Sequence, residues 1–470
     1  MRKQALPAAV CMDAFPADPD FPQLETACDA RLMLDVFRNH LKAVSGKAYR
    51  IEECIPFRFR CRQSTARCVL QYTLRVVDPS SGRRSEQWVT GLVYAAAGEA
   101  ERLWRELRAA DPRREIPEQW LGFEPVDFIP ELQMLVQVFP FDRKLPNLRL
   151  VLDGAAHQLD PLLLAGLEPG RWRIEERTIE PMRYRTELGA ALRYTLGACD
   201  RVTGKGETRR CYLKVYRNDR GAQTFQLLHA LAEHARAGGG PYGVVRPIAY
   251  VPELRTLALE EARGTALQQI LLHGGGDDWS TALRAVARAV AAFNQAELPL
   301  TERHSLGDQL ADVNRAASLV QWACPELRAQ VEVLAAAVAA GLTDVPPAPI
   351  HRDLKSDHIF VSGDRVCFID LDSVVLGDPV RDPAHLAAHI AARVGLDALP
   401  ADHARRAVNV FVDEYFAHVP TGWRHQFLLH CTGALLEVAG GIFKRQEPRW
   451  PEKVASAVAE AQRTVTGLLA

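Results

Sequence analysis

The sequence has little of what marks several large classes of protein. Its formal net charge is only -1 over 470 residues, so no overall field favours nucleic acid or an anionic membrane. None of its ten cysteines belongs to a CxxC pair, the spacing typical of zinc and redox sites. The opening MRKQALPAAVCMDAF has no adequate apolar run, and no later stretch approaches the roughly 20 apolar residues of a membrane span. We therefore expect a cytoplasmic protein that contacts neither nucleic acid nor membrane.

The composition is that of a folded protein with a large core. Hydrophobic residues make up 48% of the chain and charged residues 24%, which excludes a disordered protein. A chain of this length is sufficient for two or three domains. Since bulk charge selects no partner, selectivity must come from a local site.

Three short segments of the chain recur in one register. They are RIEEC at 50–54 and RIEER at 173–177, LQYTL at 70–74 and LRYTL at 192–196, and IPEL at 129–132 and VPEL at 251–254. The first pair is 123 residues apart and the other two are 122 apart. This period exceeds that of solenoid repeats and indicates duplication of a whole strand-rich domain.

The second half of the chain changes to amphipathic helices, with apolar residues at helical spacing. The predicted helices there are 279–296, 308–340, 383–394, 404–417 and 425–444. One polar segment, 346–379, interrupts them. Within it, the apolar runs 359–361 and 366–369 flank Ser-Gly-Asp at 362–364, which predicts a hairpin.

These patterns predict an α+β protein made of five parts. The parts are 1–49, a segment with one helix at 22–45; 50–152, a degenerate copy of the strand-rich lobe; 153–172, a linker; 173–265, the second copy; and 266–470, a helical lobe that contains the hairpin. A strand-rich lobe followed by a helical one predicts a bilobal molecule with a cleft between the lobes.

Polar residues gather at one end of the predicted hairpin. Antiparallel pairing brings its outer ends together, so His358 and Asp370 should lie about 5 Å apart between Cα atoms. The group comprises His351, Asp353, Lys355, His358, Asp370 and Asp372. Paired carboxylates with a lysine suit phosphoryl transfer, because one carboxylate can orient an attacking hydroxyl while the other holds the metal that bridges the phosphates.

The same residues resemble a known family. His351-Arg352-Asp353, then His358, then Ile369-Asp370, then Gly377-Asp378-Pro379 with Asp382, are similar in order and spacing to the signature of the aminoglycoside phosphotransferase and choline kinase superfamily. Upstream, YLKVY at 212–216 resembles that family's lysine-bearing strand, and LALEEARG at 257–264 resembles its hinge. The resemblance covers roughly 174–450.

The resemblance implies a protein-kinase-like bilobal fold, with 173–265 as its N-lobe, and an ATP-dependent phosphotransferase. It implies that Asp353 is the catalytic aspartate and that Lys214 contacts the phosphates of ATP. The adenine would lie against the backbone of Glu260, Glu261 and Ala262. Asp370 would be the principal ligand of Mg²⁺, with Mn²⁺ as the alternative metal.

Two further residues extend the implied site. Lys355 lies where protein kinases carry a lysine that contacts the transferred phosphate, so we count it with the catalytic residues. Asp382 is followed by Pro383, a pattern that predicts a helix N-cap with proline at the first helical position and an end near Gly395.

The sequence departs from the family pattern at several positions. His358 stands where the family has Asn, although Mg²⁺ prefers oxygen ligands; Asp372 is the alternative second metal ligand. Where the family's lysine has a glutamate partner, this chain offers Thr224 or Gln226. No GxGxxG loop occupies 186–189. In the first copy, the register places Leu92 opposite Lys214, so residues 50–152 should bind no nucleotide and serve as a scaffold, a substrate-binding surface or a homodimer surface.

Three functions remain open at this point. The first is a small-molecule kinase that phosphorylates a hydroxyl of a sugar, amino alcohol or aminoglycoside-like compound. The second is a weak or inactive kinase-fold protein that binds nucleotide or a partner and regulates. The third is a protein kinase, which HRDLK favours, while the lack of DFG and APE segments argues against it.

Overall fold

The computed structural model describes residues 15–62, 67–165, 167–168, 170–274, 278–393 and 398–467. The chain begins with two helices, α1 (Leu24–Ala27) and α2 (Ala30–His40). The side chain of Asp29 accepts hydrogen bonds from the amides of Arg31 and Leu32 and so caps α2. The single helix expected at 22–45 is therefore broken near Asp29.

A five-stranded antiparallel sheet follows, in the order β1-β2-β3-β5-β4. Its strands are β1 (Arg50–Arg62), β2 (Arg67–Val77), β3 (Arg84–Tyr94), β4 (Val126–Ile129) and β5 (Met134–Val138). Helix α3 (Glu99–Ala109) connects β3 to β4. The short helices α4 (Asn147–Leu152) and α5 (Asp160–Leu163) lead on to the second sheet.

The second antiparallel sheet has the order β10-β11-β8-β7-β6, which is the first order read from its other edge. Its strands are β6 (Trp172–Arg185), β7 (Gly189–Asp200), β8 (Gly206–Tyr216), β10 (Pro247–Val251) and β11 (Thr256–Glu260). Helix α6 (Arg220–Gly238) takes the place that α3 has in the first sheet. Leu92 and Lys214 occupy the same position in the register, because Leu92 lies between Val69 and Leu135 as Lys214 lies between Ala191 and Leu257.

Local irregularities also recur in both sheets. The register of β1 shifts between Ile51 and Glu53, and that of β6 shifts between Ile174 and Glu176. Each Pro-Glu-Leu segment forms a 3-10 turn that ends in a residue with positive φ, at 43° and 45° respectively. Shared bulges and strained turns at equivalent positions support a duplicated domain more strongly than strand order alone, since such features are local and specific. The domain boundaries given above stay predictions.

The helical lobe carries eight helices in its described part. They are α7 (Leu267–His273), α8 (Asp278–Asn294), α9 (Leu306–Ala323), α10 (Arg328–Gly341), α11 (Arg381–Ala392), α12 (Ala401–Ala417), α13 (Phe427–Lys444) and α14 (Trp450–Thr466). Small sheets complete it: β9 (Tyr242–Val244), β12 (Thr265–Ala266), β14 (Ile359–Ser362) and β15 (Arg365–Phe368) form one, and β13 (Ala348–Ile350) with β16 (Val375–Gly377) forms the other.

Two of the expected helices need correction. The single helix predicted over 308–340 is two helices, separated by a 3-10 turn at Pro325–Leu327, because proline cannot supply the amide that a continuous helix needs. Asp382 does not cap α11, which begins one residue earlier, at Arg381, with Val380 at the cap position. Gly395, the expected end of that helix, lies outside the described residues.

One helical segment, Thr421–Lys444, is long and apolar enough to cross a membrane by length and composition. However, 78% of its most apolar window is buried inside the protein. Its Phe443 packs against Trp322 and Trp450, at ring distances of 5.7 and 4.7 Å. The segment therefore has the environment of a core helix.

The segment between the two sheets is packed against the second sheet. Asn147 donates hydrogen bonds to the carbonyls of Leu254 (2.6 Å) and Tyr216 (3.1 Å). Asp160 accepts from the Tyr194 hydroxyl and forms an ion pair with Arg177. Leu159 and Leu163 join the same core. This part of the chain orients the second sheet, which a flexible linker would not do.

The first sheet also holds the turn between β6 and β7 directly. Arg67 donates to both carboxylate oxygens of Glu187, one of them at 2.9 Å, and the two side chains are 4% and 0% exposed. Arg143 adds a second ion pair to Glu187, at 3.3 Å. Thr90 and Thr186 share a hydrogen bond between hydroxyls at 2.6 Å. The turn that lacks GxGxxG is thus fixed by side chains of the first sheet.

We predict that Arg67→Ala lowers the free energy of unfolding by about 3 kcal/mol, because it leaves the buried Glu187 carboxylate without its bidentate partner. Urea denaturation measures the change. Arg75→Ala is the matched control, since it breaks an ion pair with Glu53 on the solvent-exposed end of the same strand, where such pairs contribute little. Equal losses in the two variants would contradict a buried anchor at Glu187.

Candidate functional site

The predicted hairpin of the helical lobe is present. Strands β14 and β15 pair from Ile359 with Phe368 to Ser362 with Arg365. At the open end, the Ile369 amide donates to the His358 carbonyl at 3.0 Å. His358 and Asp370 therefore meet as expected, with Nε2 and Oδ2 3.5 Å apart.

Asp382 fixes the loop that enters this hairpin. Its carboxylate accepts from the amides of His351 (2.6 Å) and Arg352 (2.9 Å) and from the Asn294 side chain (3.2 Å). The His351 ring donates to the Ile369 carbonyl at 2.9 Å and so ties the loop to the far strand. Arg352 has φ of 72°, a conformation that few non-glycine residues adopt without such support. The N-cap prediction for Asp382 was wrong, and the residue is a positioning residue for Asp353.

Lys214 lies on β8 and faces the hairpin from the sheet lobe. Its Nζ donates to Asp370 at 2.6 Å and to Asp372 at 2.7 Å. The Tyr216 hydroxyl donates to the other oxygen of Asp372 at 2.9 Å. Lys214 thus has two aspartates as acidic partners, both from the helical lobe. Thr224, one of the residues considered near the expected glutamate position, donates instead to the Arg220 carbonyl.

Asp353, Lys355 and His358 form the other side of the site. Lys355 Nζ donates to Asp353 Oδ2 at 3.2 Å. His358 Nδ1 lies 3.0 Å from the Asp353 carbonyl, which can only accept, so Nδ1 carries the proton. In a neutral ring, Nε2 then presents a lone pair toward Asp370.

The pKa values of this group follow from burial and mutual charge. Burial by itself would raise the pKa of Asp370, but the charge of Lys214 outweighs it and places the pKa well below its usual range. For Asp353, burial is likewise opposed by Lys355, and the pKa is lowered. Burial, reinforced by Lys355, lowers the pKa of His358 to about 4. At neutral pH the site therefore holds ionised carboxylates, a charged lysine and a neutral imidazole.

These residues fit a divalent metal. One ligand atom from each of Asp353, His358 and Asp370 lies within 4.8 Å of the other two. Two carboxylates and a neutral imidazole are acceptable ligands for Mg²⁺ or Mn²⁺, although Mg²⁺ prefers oxygen. Asp372 was named as the alternative second ligand, but its carboxylate lies outside this group and binds Lys214 and Tyr216.

The predicted hinge follows β11. The amide of Glu260 donates to the Arg246 carbonyl at 3.0 Å, and its side chain pairs with Arg246. Glu261 and Ala262 follow as an irregular segment that leads into β12 and the helical lobe. Their role in binding adenine stays a prediction.

Two contributors to the site were missed by reasoning from the sequence, and the role of a third, Asp382, was misassigned. Asp382 acts on the loop backbone, Tyr216 binds Asp372, and Arg220 donates to the Asp372 carbonyl at 3.1 Å. Tyr216 gave a usable signal, since it lies two residues after Lys214 and on the same face of a strand. Arg220 gave none.

Comparisons with known proteins agree with this geometry. Residues 200–416 match the model of a family described as the phosphotransferase enzyme family, APH. A search of curated proteins found no matching sequence.

Three solved structures show the range of similarity. A choline kinase from Cryptosporidium parvum Iowa II is 9% identical, covering 68% of this chain and 96% of that one, with a TM-score of 0.43. An aminoglycoside phosphotransferase with ADP bound is 14% identical over 66% and 97% of the two chains, with a TM-score of 0.40. An amicoumacin kinase in complex with AMP-PNP and Ca²⁺ is 12% identical over 66% and 93%, with a TM-score of 0.42.

The sheet lobe, the helical lobe and the hairpin between them form an α+β fold of the protein-kinase-like type. Residues 200–416 of this chain are similar to the phosphotransferase enzyme family.

Proposed function

We propose that this protein transfers the γ-phosphate of ATP to a hydroxyl group of a small molecule. The observation that carries the proposal is the meeting of Lys214, Asp370 and Asp353 in one cleft, from two lobes of the chain. Lys214 is placed to bind the phosphates of ATP, and the backbone of residues 260–262 to bind its adenine. Asp353 lies at the end of a loop that three hydrogen bonds to Asp382 and Ile369 hold in place.

The reaction forms one bond and breaks one. The acceptor oxygen bonds to the γ-phosphorus, and the bond from the γ-phosphorus to the oxygen bridging to the β-phosphate breaks. ADP leaves with that oxygen and its electron pair, and the hydroxyl proton passes to Asp353. The lowered pKa of Asp353 keeps it ionised and able to accept a hydrogen bond from the acceptor.

Asp370, with His358, would hold the Mg²⁺ that accompanies ATP, and the metal would neutralise charge on the phosphates. Lys214 would have to exchange its contacts with Asp370 and Asp372 for contacts with phosphate. Lys355, 3.2 Å from Asp353, is placed to add positive charge beside the transferred group.

A regulatory kinase-fold protein is the second candidate. The observation in its favour is that Lys214 is bound by both aspartates, which leaves Asp370 engaged by a protein cation. His358 at the metal site also favours this candidate, because Mg²⁺ prefers oxygen ligands to imidazole. Such a protein would bind nucleotide or a partner without phosphorylating any acceptor.

We predict that Lys214→Ala weakens ATP binding or turnover by about 10²-fold or more, since it removes the main positive charge facing the phosphates. Isothermal titration with Mg·AMP-PNP and steady-state ATP turnover measure the effect. Lys205→Ala, an exposed lysine in the turn before β8, is the control. Unchanged nucleotide affinity and turnover in Lys214→Ala would remove the proposed site.

We predict that Asp353→Asn lowers turnover by about 10²–10⁴-fold while nucleotide affinity stays nearly the same, because Asp353 orients and deprotonates the acceptor. Asp364→Asn, in the exposed turn of the same hairpin, should behave as the native protein. ATP binding without phosphorylation of any hydroxyl acceptor, and without an effect of Asp353→Asn, would favour the regulatory candidate.

We predict that His358→Asn preserves or raises Mg²⁺-dependent turnover, whereas Mn²⁺ favours the native protein, because Mn²⁺ accepts imidazole more readily. The measurement is turnover against metal concentration for both metals, with His229→Asn on the exposed face of α6 as control. If the native protein does not distinguish the metals and His358→Asn is inactive, His358 has another role.

A further inference from the structure

Two arginine pairs, one from each sheet, meet beside the catalytic cleft. The first sheet carries Arg58-Phe59-Arg60 directly after its Pro56 bulge, and the second carries Arg183-Tyr184-Arg185 directly after its Pro181 bulge. Each sheet therefore carries an arginine, an aromatic residue and an arginine after a bulge, and in the strand register Arg60, opposite Val69, matches Arg183, opposite Ala191.

Contacts along the two strands bring these pairs together. Arg60 donates to the Thr186 carbonyl at 3.1 Å, immediately after Arg185. Gln71, the cross-strand partner of Arg58, donates to the Tyr184 carbonyl at 3.3 Å. The four guanidinium groups consequently lie around one junction between the sheets.

The junction faces the catalytic site. Arg183 pairs with Ala191, which pairs with Lys214, and residues paired across strands lie on the same face of a sheet. Asp353 and Asp370 both act on the charge of Arg185. On the helical side, the rings of Phe59 and Phe443 are 5.6 Å apart, which brings Lys444 and Arg445 to the same region.

Three of the four arginines have few counter-charges among the described residues. Within the described parts of the chain, no hydrogen bond or ion pair engages the side chains of Arg58, Arg183 or Arg185, whereas Arg445 pairs with Glu447. Arg58 Nε is buried without a hydrogen-bond partner. Burial, followed by the charges of Arg185 and Arg183, lowers the pKa of Arg58 to about 10. Arginines held together against their repulsion are stabilised by an anion.

Apart from the catalytic aspartates, the acidic residues whose charges act on Lys444 are already neutralised. Asp312 on α9 pairs with His304, Arg315, Arg352 and Arg381. Glu437 on α13 pairs with Arg381 at 3.3 Å. A cationic acceptor would therefore meet few available carboxylates here other than those of the catalytic group.

We propose that the junction formed by Arg58, Arg60, Arg183 and Arg185 binds an anionic group of the acceptor, so that the substrate is a small hydroxylated molecule bearing phosphate or carboxylate. The inference rests on the proposed kinase function and names its substrate class. It also assigns residues 50–152 a part in binding the acceptor, since that copy supplies two of the four arginines.

The first test is anion binding, independent of turnover. Inorganic phosphate is titrated into the protein saturated with Mg·AMP-PNP, so that the nucleotide phosphates occupy their own site. We expect saturable binding that Arg58→Ala/Arg185→Ala weakens by about tenfold or more and that Arg58→Lys/Arg185→Lys partly retains. The control is Arg50→Ala/Arg173→Ala, which removes exposed arginines from the opposite ends of the same two strands. An adventitious surface anion would bind all variants equally, and that result would overturn the proposal.

The second test uses acceptor pairs that differ by one phosphate, glycerol with glycerol 3-phosphate and glucose with glucose 6-phosphate, with ethanolamine as the cation. We expect phosphorylation, measured as a mass gain, to favour the phosphorylated member. Preference for ethanolamine or the neutral members would contradict an anionic acceptor. If the arginine variants weaken the binding of Mg·AMP-PNP but leave phosphate binding unchanged, the arginines belong to the ATP site instead. Failure of the kinase function is seen separately, as no phosphorylation of any acceptor by the native protein; phosphate titrated into the protein, with or without Mg·AMP-PNP, then still tests the junction.

Discussion

The contact of Lys214 with Asp370 and Asp372 sets the relation between the two halves of the kinase-like region. It joins β8 of the sheet lobe to the hairpin of the helical lobe through two short charge-assisted hydrogen bonds. Burial penalises each charge separately, so neither the lysine nor Asp370 is stable there without the other. The pKa of Lys214 is raised despite burial, because the two aspartates outweigh the loss of water. The same charges that hold the lobes together are those that a triphosphate and its metal would use.

The hairpin and its polar end could be predicted from the sequence because their determinants are local. A tight turn between short apolar runs fixes the register, and the register fixes which residues meet at the open end. The acidic partners of Lys214 could not be predicted in this way. They lie 156 and 158 residues away, and the expectation of a glutamate on α6 directed attention to the wrong element. Asp382 was misassigned because Asp-Pro fits a local helix start, whereas the carboxylate is used by a loop 30 residues earlier.

The break between the two helices at Pro325 could have been predicted from the sequence, since proline within a helical pattern ends the helix. The repeated strand pattern could also be recognised in the sequence, and the bulges after Ile51 and Ile174 lie at the same place in the registers of the two sheets. The repeat could not predict how the two copies pack against each other. The burial of Glu187 by Arg67 and Arg143 depends on residues that have no common pattern in the two copies.

Packing of the two copies explains how a kinase-like site can lack a glycine-rich loop. Such a loop closes over phosphates because its backbone is free to approach them, whereas here the equivalent turn is held by buried side chains of the first sheet. A fixed turn cannot close, but it can present Arg183 and Arg185 in a constant position. Arg60 reaches the same turn from the first sheet. The first copy has Leu92 where the second has Lys214, and its buried side chains hold the turn beside the cleft in one position.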